Sequence, residues 1–216
     1  MKVAENKEIS SAIVRRLPRY YRYLTELLEK GVVRISSNEL SEKVGVTASQ
    51  IRQDFNKFGG FGRQGYGYNV SSLRNEIGSI IGLDREYNVV VIGAGNIGQA
   101  ITKYTDFESK GFYIGALFDI NPIVVGSVVR GKEVMNIGKL EGYIKENDVD
   151  IVVLATSTNK ANEIAQRVVE LGVKAIWNFV PTDLELPEDV VCENVHLEES
   201  LMRLSYKMNN SVKKDV

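Results

Sequence analysis

Four stretches of this chain are almost continuously apolar: Tyr87-Asn88-Val89-Val90-Val91-Ile92, Phe112-Tyr113-Ile114-Gly115-Ala116-Leu117-Phe118, Ile151-Val152-Val153-Leu154-Ala155 and Ala175-Ile176-Trp177-Asn178-Phe179. Runs this short, rich in β-branched residues and bounded by turn formers, predict strands buried on both faces of a parallel sheet. Between them the apolar positions take helical spacing. Ile97, Ile101 and Tyr104 predict a helix over 96–107, Leu140 to Asn147 a second, and Ala161 to Leu171 a third that Gly172 stops. Lys132-Glu133-Val134 predicts one more short strand. Strand and helix alternate throughout, which predicts an α/β fold with a Rossmann-like doubly wound parallel sheet.

The pattern before residue 83 is different. Ile13, Leu17, Tyr20, Tyr21, Leu24, Leu27 and Leu28 recur at helical spacing, with Pro18 in the first turn and Gly31 at the end. Ser36 with Glu39 offers a capping box before a short helix, Leu40 to Val44. Thr47 with Gln50 offers a second box before a helix that runs to about Phe58. Two short helices joined by Gly45-Val46 predict a helix-turn-helix. In its second helix Ile51, Phe55 and Phe58 fall on one face, and Ser49, Gln50, Arg52, Gln53, Asn56 and Lys57 are left on the others. Next comes Gly59-Gly60-Phe61-Gly62-Arg63-Gln64-Gly65-Tyr66-Gly67-Tyr68, in which glycines alternate with aromatics. Flexible linkers seldom carry such aromatics. The stretch predicts a small hairpin anchored by Phe61, Tyr66 and Tyr68, with Arg63 at the tip, as in the wing of a winged helix. A helix from Ser71 to about Gly82 leads onward.

Charge sharpens this division. Residues 1–82 hold 13 Lys+Arg against 8 Asp+Glu, and residues 83–216 hold 14 against 20. The first part is therefore net basic by 5 and the second net acidic by 6. A basic part that also carries a helix-turn-helix points to duplex DNA, with Thr47, Ser49, Gln50, Arg52, Gln53, Lys57 and Arg63 as candidate contacts.

The second part carries a candidate cofactor site. Gly93-Ala94-Gly95-Asn96-Ile97-Gly98 follows a predicted strand and opens a predicted helix. In such a loop the first glycine permits the turn, the second lets the backbone approach a pyrophosphate, and the third lets the helix pack on the sheet. The helix N-terminus favours the phosphates. Asp119, about 20 residues on, ends the next strand where an adenosine ribose needs an acid. A carboxylate there bonds the ribose hydroxyl and repels a 2′-phosphate, which favours NAD over NADP. Thr156 and Phe179, at the ends of two later strands, complete the expected cofactor set.

The remaining composition excludes several classes. One Cys and one His cannot form a His/Cys metal cluster or an intramolecular disulfide, and no metal is expected. No apolar run approaches the roughly 20 residues of a membrane span, and the N-terminus lacks a signal-peptide pattern, so a cytoplasmic protein with no membrane partner is expected. After Val190 to Val195 the chain ends in a helix, Glu198 to about Asn210, whose stripe Leu197, Leu201, Leu204 and Met208 needs a surface. That surface is either its own sheet or a second copy of the chain. The expected parts are a winged-helix DNA-binding domain (1–82), a Rossmann NAD(H)-binding domain (83–195), and a C-terminal dimerisation helix and tail (196–216).

The chain resembles the Rex redox-sensing transcriptional repressors of bacteria. The markers are Arg16-Leu17-Pro18-Arg19-Tyr20, Ile35-Ser36-Ser37, Phe58-Gly59, Gly65-Tyr66-Gly67-Tyr68, Gly93 to Gly98, Phe118-Asp119, Asn178-Phe179-Val180-Pro181 and Glu193-Asn194-Val195. The resemblance implies a homodimer with exchanged C-terminal helices that binds palindromic operator DNA without ligand or with NAD+ and is released by NADH. It also implies a switch network in which Tyr104, near the nicotinamide, joins Arg22 of the first helix and an acid at the start of the last helix. This sequence has His196 at that place, so the ionic form of the network differs here. A histidine can still hydrogen-bond Tyr104, with a charge that depends on pH.

Two other readings fit parts of the pattern. One is a small NAD-dependent oxidoreductase whose helical domain only dimerises. The other is a winged-helix regulator whose sheet binds a different nucleotide, such as ADP-ribose or S-adenosylmethionine. Against an enzyme, the sheet uses most of the second part, and His196, the only His, lies near its far end.

Overall fold

The computed structural model describes residues 10–57, 62–63 and 66–211; at 62, 63 and 211 only the backbone is described. The chain divides into two units, Met1–Arg85 and Glu86–Val216.

In the first unit α1 (Ser11–Val14) leads into α2 (Leu17–Glu29), which has Pro18 in its first turn. Strand β1 (Arg34–Ile35) precedes α3 (Ser37–Val44), and α4 (Ala48–Asn56) follows the turn at Gly45. The box before α3 is complete: Ser36 Oγ accepts from Glu39 N, and Glu39 Oε2 accepts from Ser36 N. The box before α4 is half made. Thr47 Oγ1 accepts from Gln50 N, but the Gln50 side chain turns to Asp54 instead. Strands β2 (Gly62–Arg63) and β3 (Gly67–Asn69) form an antiparallel hairpin, and β1 pairs on the other side of β3. Arg63 therefore ends a strand opposite Gly67 rather than forming the tip, and its side chain lies outside the described residues.

Helix α5 (Val70–Ile80) closes the unit. The core joins Leu17, Tyr20, Leu24, Leu40, Ile51, Phe55, Tyr68, Leu73 and Ile77. Tyr68 anchors the hairpin edge-on against Phe55, with ring centroids 5.1 Å apart. Tyr66 takes no part in the anchoring and is 70% exposed, near Arg34. Phe58, expected on the inward face with Ile51 and Phe55, and Phe61, expected as a hairpin anchor, lie outside the described residues.

The second unit holds β4 (Tyr87–Ile92), α6 (Asn96–Lys103), β5 (Phe112–Asp119), β6 (Val128–Val129), β7 (Lys132–Asn136), α7 (Leu140–Glu146), β8 (Ile151–Leu154), α8 (Thr158–Glu170), β9 (Ala175–Asn178), β10 (Val191–Asn194) and α9 (Leu197–Ser211). The sheet order is β10-β9-β8-β4-β5-β7-β6. Every pairing is parallel except β6 with β7 at the edge, a short strand that the sequence pattern does not indicate. Without β6, the order read from β7 to β10 is that of the doubly wound dinucleotide-binding sheet. Alternate residues of β4 serve the two faces. Val90 and Ile92 join the core under α7 and α8, while Val89 and Val91 join the core under α6. Helices lie on both faces, which is why the strands read as unbroken apolar runs, although the α6 face stays partly open between Ile101, Ile151, Trp177 and Val191.

Helix α6 is shorter than its pattern suggests. It ends at Lys103, Tyr104 takes an extended conformation, and a 3₁₀ turn follows from Thr105 to Lys110. The break lets Phe107 reach the sheet face, where its ring meets Trp177 edge-on at 5.7 Å. Helix α9 is not packed on the sheet of its own chain: Leu197, Leu201, Leu204 and Met208 are 53–68% exposed.

Candidate nucleotide and DNA sites

The chain reverses direction across the sheet between β4 and β8, and the crevice beyond their carboxyl ends is where doubly wound sheets take ligands. Gly93 leaves β4 there with φ +99°, a conformation that L side chains avoid, and its N–H donates to Phe118 O. A Cβ on Gly93 would collide with Ala155 O, just before Thr156, so the loop lies directly on the end of β8. A Cβ on Gly98 would collide with Gly93 O and press on Val91, so the start of α6 sits as close to the loop as backbone allows. Gly95 differs from both. It is exposed, and a Cβ there would meet nothing within 4 Å. The chain leaves its missing side chain as open space, on the side from which a pyrophosphate would come. Gly95 is also the N-cap of α6 and provides no side-chain cap, so the first N–H groups of the helix remain for an anion.

Asp119 reaches this loop. Its Oδ2 accepts from Ala94 N at 2.6 Å, and its Oδ1 accepts from Asn121 N at 2.8 Å. The carboxylate is thus held at the second strand end by two backbone donors and is half-buried. Gln99 Nε2 donates to Ala94 O and fastens the loop from the other side. Asn96 and Ile97 are exposed at the mouth. Phe179 follows β9, its N–H donates to Leu154 O, and its ring meets Trp177. Buried Asn178, a polar residue inside the fourth apolar run, shapes this edge. Its Nδ2 donates to Thr182 O and Asn194 Oδ1, and its Oδ1 accepts from Val180 N. The glycine loop, Asp119, Thr156 and Phe179 all lie at the carboxyl ends of the strands, where a dinucleotide fits.

The three residues of the expected switch network each have a near neighbour as partner. Arg22 faces Glu26 at 3.9 Å and lies over the Tyr23 ring. Tyr104 OH donates to Asp106 Oδ2 at 3.4 Å. His196 Nδ1 lies 3.3 Å from Glu199 Oε1, and its Nε2 is buried with no hydrogen-bond partner among the described residues. No hydrogen bond links Tyr104 with His196 among the described residues.

In the first unit, Thr47, Ser49, Arg52, Gln53, Asn56 and Lys57 form an exposed polar surface on and around α4. Arg52 Nη1 donates to Ser37 Oγ on α3, which ties the two helices on that surface. Beneath it lies a group that helical spacing does not single out. Asp54 is completely buried on α4, and its oxygens accept from Arg16 Nε and Nη2 at 2.7 and 2.8 Å, Tyr20 OH at 2.7 Å and Gln50 Nε2 at 2.8 Å. Burial alone would raise the carboxyl pKa, but the bonds from Arg16, Tyr20 and Gln50 outweigh it and hold the group below the usual carboxylate range. Tyr20 is pushed up, first by its burial and then by donating to that carboxylate.

Comparisons with known proteins fit this geometry. A family model described as "Putative DNA-binding protein N-terminus" matches residues 8–56, and one described as "CoA binding domain" matches 84–182. The redox-sensing transcriptional repressor Rex of Clostridioides difficile (strain 630) is 57% identical over 94% of this chain and 97% of its own length. The Rex protein of Thermoanaerobacter pseudethanolicus is 55% identical over 96% of this chain and 92% of its own. The chain belongs to the Rex family of redox-sensing transcriptional repressors. Among solved structures, the Rex-family repressor RSP in complex with β-NADH matches with a TM-score of 0.89 at 51% identity, covering 97% of this chain and 99% of that one. RSP in complex with β-NAD+ and operator DNA matches with a TM-score of 0.89 at 54% identity, covering 97% of each chain. A Rex-family chain thus has both its parts accounted for: a helix-turn-helix with a hairpin, and a doubly wound, mostly parallel sheet.

Proposed function

We propose that this chain is a redox-sensing repressor that binds palindromic operator DNA as a homodimer, leaves it when NADH binds, and so reports the NADH/NAD+ ratio. The carrying observation is the open space at Gly95 beside the Asp119 carboxylate, in a chain more than half identical to a repressor solved both with NADH and with NAD+ and operator DNA. Gly93 to Gly98 hold the pyrophosphate against the start of α6. Asp119 takes the adenosine ribose and repels a 2′-phosphate. Thr156 and Phe179 line the crevice towards the nicotinamide, which serves here as a ligand and not as a hydride donor. The protein acts on DNA in the cytoplasm.

NADH can move such a protein off DNA only by binding one dimer shape more tightly than another. A hundredfold release corresponds to a coupling of about 2.7 kcal/mol. The two α4 helices must match half-sites about one helical turn or a multiple apart, so a shape that alters their spacing releases the duplex. The exposed apolar stripe of α9 supplies the dimer contact, exchanged between the two chains, and Arg22, Tyr104 and His196 form the switch in that assembly.

The test is operator binding titrated in parallel with NADH, NAD+ and NADPH. NADH alone is expected to release the complex; equal affinity with and without saturating NADH refutes the reading. The non-catalytic role is checked in the same samples: sustained NADH oxidation with small carbonyl compounds would favour the oxidoreductase alternative.

A further inference from the structure

The loop that follows Asp119 spends its backbone donors on itself and on β7. Asn121 N donates to Asp119 Oδ1, and Ile123 N donates to Asn121 Oδ1. Val124 N and Val125 N donate to Asn121 O, Gly126 N to Val134 O, and Ser127 N to Val124 O. Residue 122 is proline, so every backbone N–H from 121 to 127 is taken. The Ser127 hydroxyl also turns inward and donates to Val124 O. Yet this closed loop holds two large apolar side chains out to solvent. Ile120, directly after Asp119, is 56% exposed, and Ile123 is 88% exposed. Neither belongs to the cores on the two faces of the sheet, so neither is there to stabilise the fold.

We propose that Ile120 and Ile123 form the platform for the purine of the dinucleotide, and that the site holds the base by contact without reading its hydrogen-bonding edge. The proposal rests on the cofactor reading above and adds to it how the adenosine end is selected. Asp119 reads the ribose, whose hydroxyls donate to the carboxylate. The base, next along the ligand, meets apolar side chains that favour any flat ring by the area it covers. The amide of Asn121 is turned back on its own loop, its Oδ1 accepting from Ile123 N. Selection therefore falls on the sugar, and the ligand class extends to dinucleotides that carry another purine of adenine's shape.

The test compares NADH with its hypoxanthine analogue, reduced nicotinamide hypoxanthine dinucleotide, by calorimetric titration of the full-length wild-type protein. Hypoxanthine keeps the shape of adenine but carries an acceptor in place of the N6 donor and a donor in place of the N1 acceptor. A site that hydrogen-bonds this edge would separate the two ligands by about tenfold or more. Here the two dissociation constants are expected to agree within about threefold. A larger preference for either ligand overturns the proposal and assigns the base to a polar group, with Asn121 Nδ2 as the side-chain donor on this loop. Combining Ile120→Ser with Ile123→Ser should weaken both ligands by one common factor of about tenfold. The melting temperature without ligand should stay unchanged, because neither side chain is in a core. A double variant that binds NADH as tightly as the wild type also overturns the proposal. Failure of the wild type to bind NADH at all overturns the function proposed above, whereas tight NADH binding with base discrimination overturns the platform alone. The comparison of ligands needs no variant to fold.

Discussion

Helix α4 is held by a carboxylate buried beneath it, whereas helix α6 is held by side chains that are missing at Gly93 and Gly98. The contrast follows from how each helix meets its ligand. A recognition helix offers its flank, so most of that flank must stay polar and exposed, and only Ile51 and Phe55 give it buried apolar contacts. Two apolar side chains fix a helix loosely about its axis. Directional bonds to Asp54 supply the rotation that DNA contacts demand. A phosphate-binding helix offers its end, and its whole apolar flank is free to pack. Its requirement is closeness, and only glycine permits that. Among the described residues the buried polar groups of the second unit, Thr102 and Asn178, are neutral. The ionic device belongs to the unit with the smaller core.

The largest effect that would break this contrast is the loss of the buried charge. Asp54→Ala leaves Arg16 without its partner, and removing one member of a buried pair costs about 3–5 kcal/mol. Denaturant melts of the first unit's transition are expected to show it, with operator affinity falling alongside. The pH dependence has a fixed sign. Because the folded carboxyl pKa is depressed, its stabilisation is fully present above the unfolded value of about 3.9 and is lost as pH falls through the lower folded value. Asp54→Asn should flatten the acid melting below about pH 4; an unchanged acid profile would show that the carboxylate contributes nothing.

Next in size is Gly98→Ala, where the new Cβ strikes Gly93 O. A loss of about 2–3 kcal/mol from the second unit is expected by thermal or denaturant unfolding. Gly95→Ala is the matched control. With open space around it, stability should change by no more than about 0.5 kcal/mol, while the thermal shift on adding NADH disappears. A Gly95→Ala protein that is still stabilised normally by NADH would remove the pyrophosphate from this loop.

Asp119→Ala should weaken NADH about tenfold to hundredfold while keeping ligand-free operator binding, as read by titration in the two formats. Loss of both activities would mean that Asp119 matters mainly for fixing Ala94. The smallest effects are expected on the exposed face of α4. Arg52→Ala and Lys57→Ala should each lower the slope of log affinity against log salt by about 1 if they meet phosphates. For Arg52 the bond to Ser37 is a competing role, and an unchanged slope would assign it to that bond alone.

Local patterns determined a good deal of this protein. The apolar runs marked the four central strands, Ser36 and Glu39 marked the start of α3, and Gly93 to Gly98 marked the tight turn from β4 into α6, because each depends on neighbours in sequence: period, cap or turn. Only the tertiary structure decided the rest. Asp54 sits 38 residues from Arg16 along the chain, so no window of helical spacing reveals that their charges meet. Tyr104 left its helix because Phe107 had a sheet face to reach, and that face is built from strands far apart in sequence. The edge strand β6, two residues long, exists through its pairing with β7. The apolar stripe of α9 was legible in sequence, but that its own sheet leaves it uncovered was not, since burial is decided by what a surface meets and not by the residues that form it.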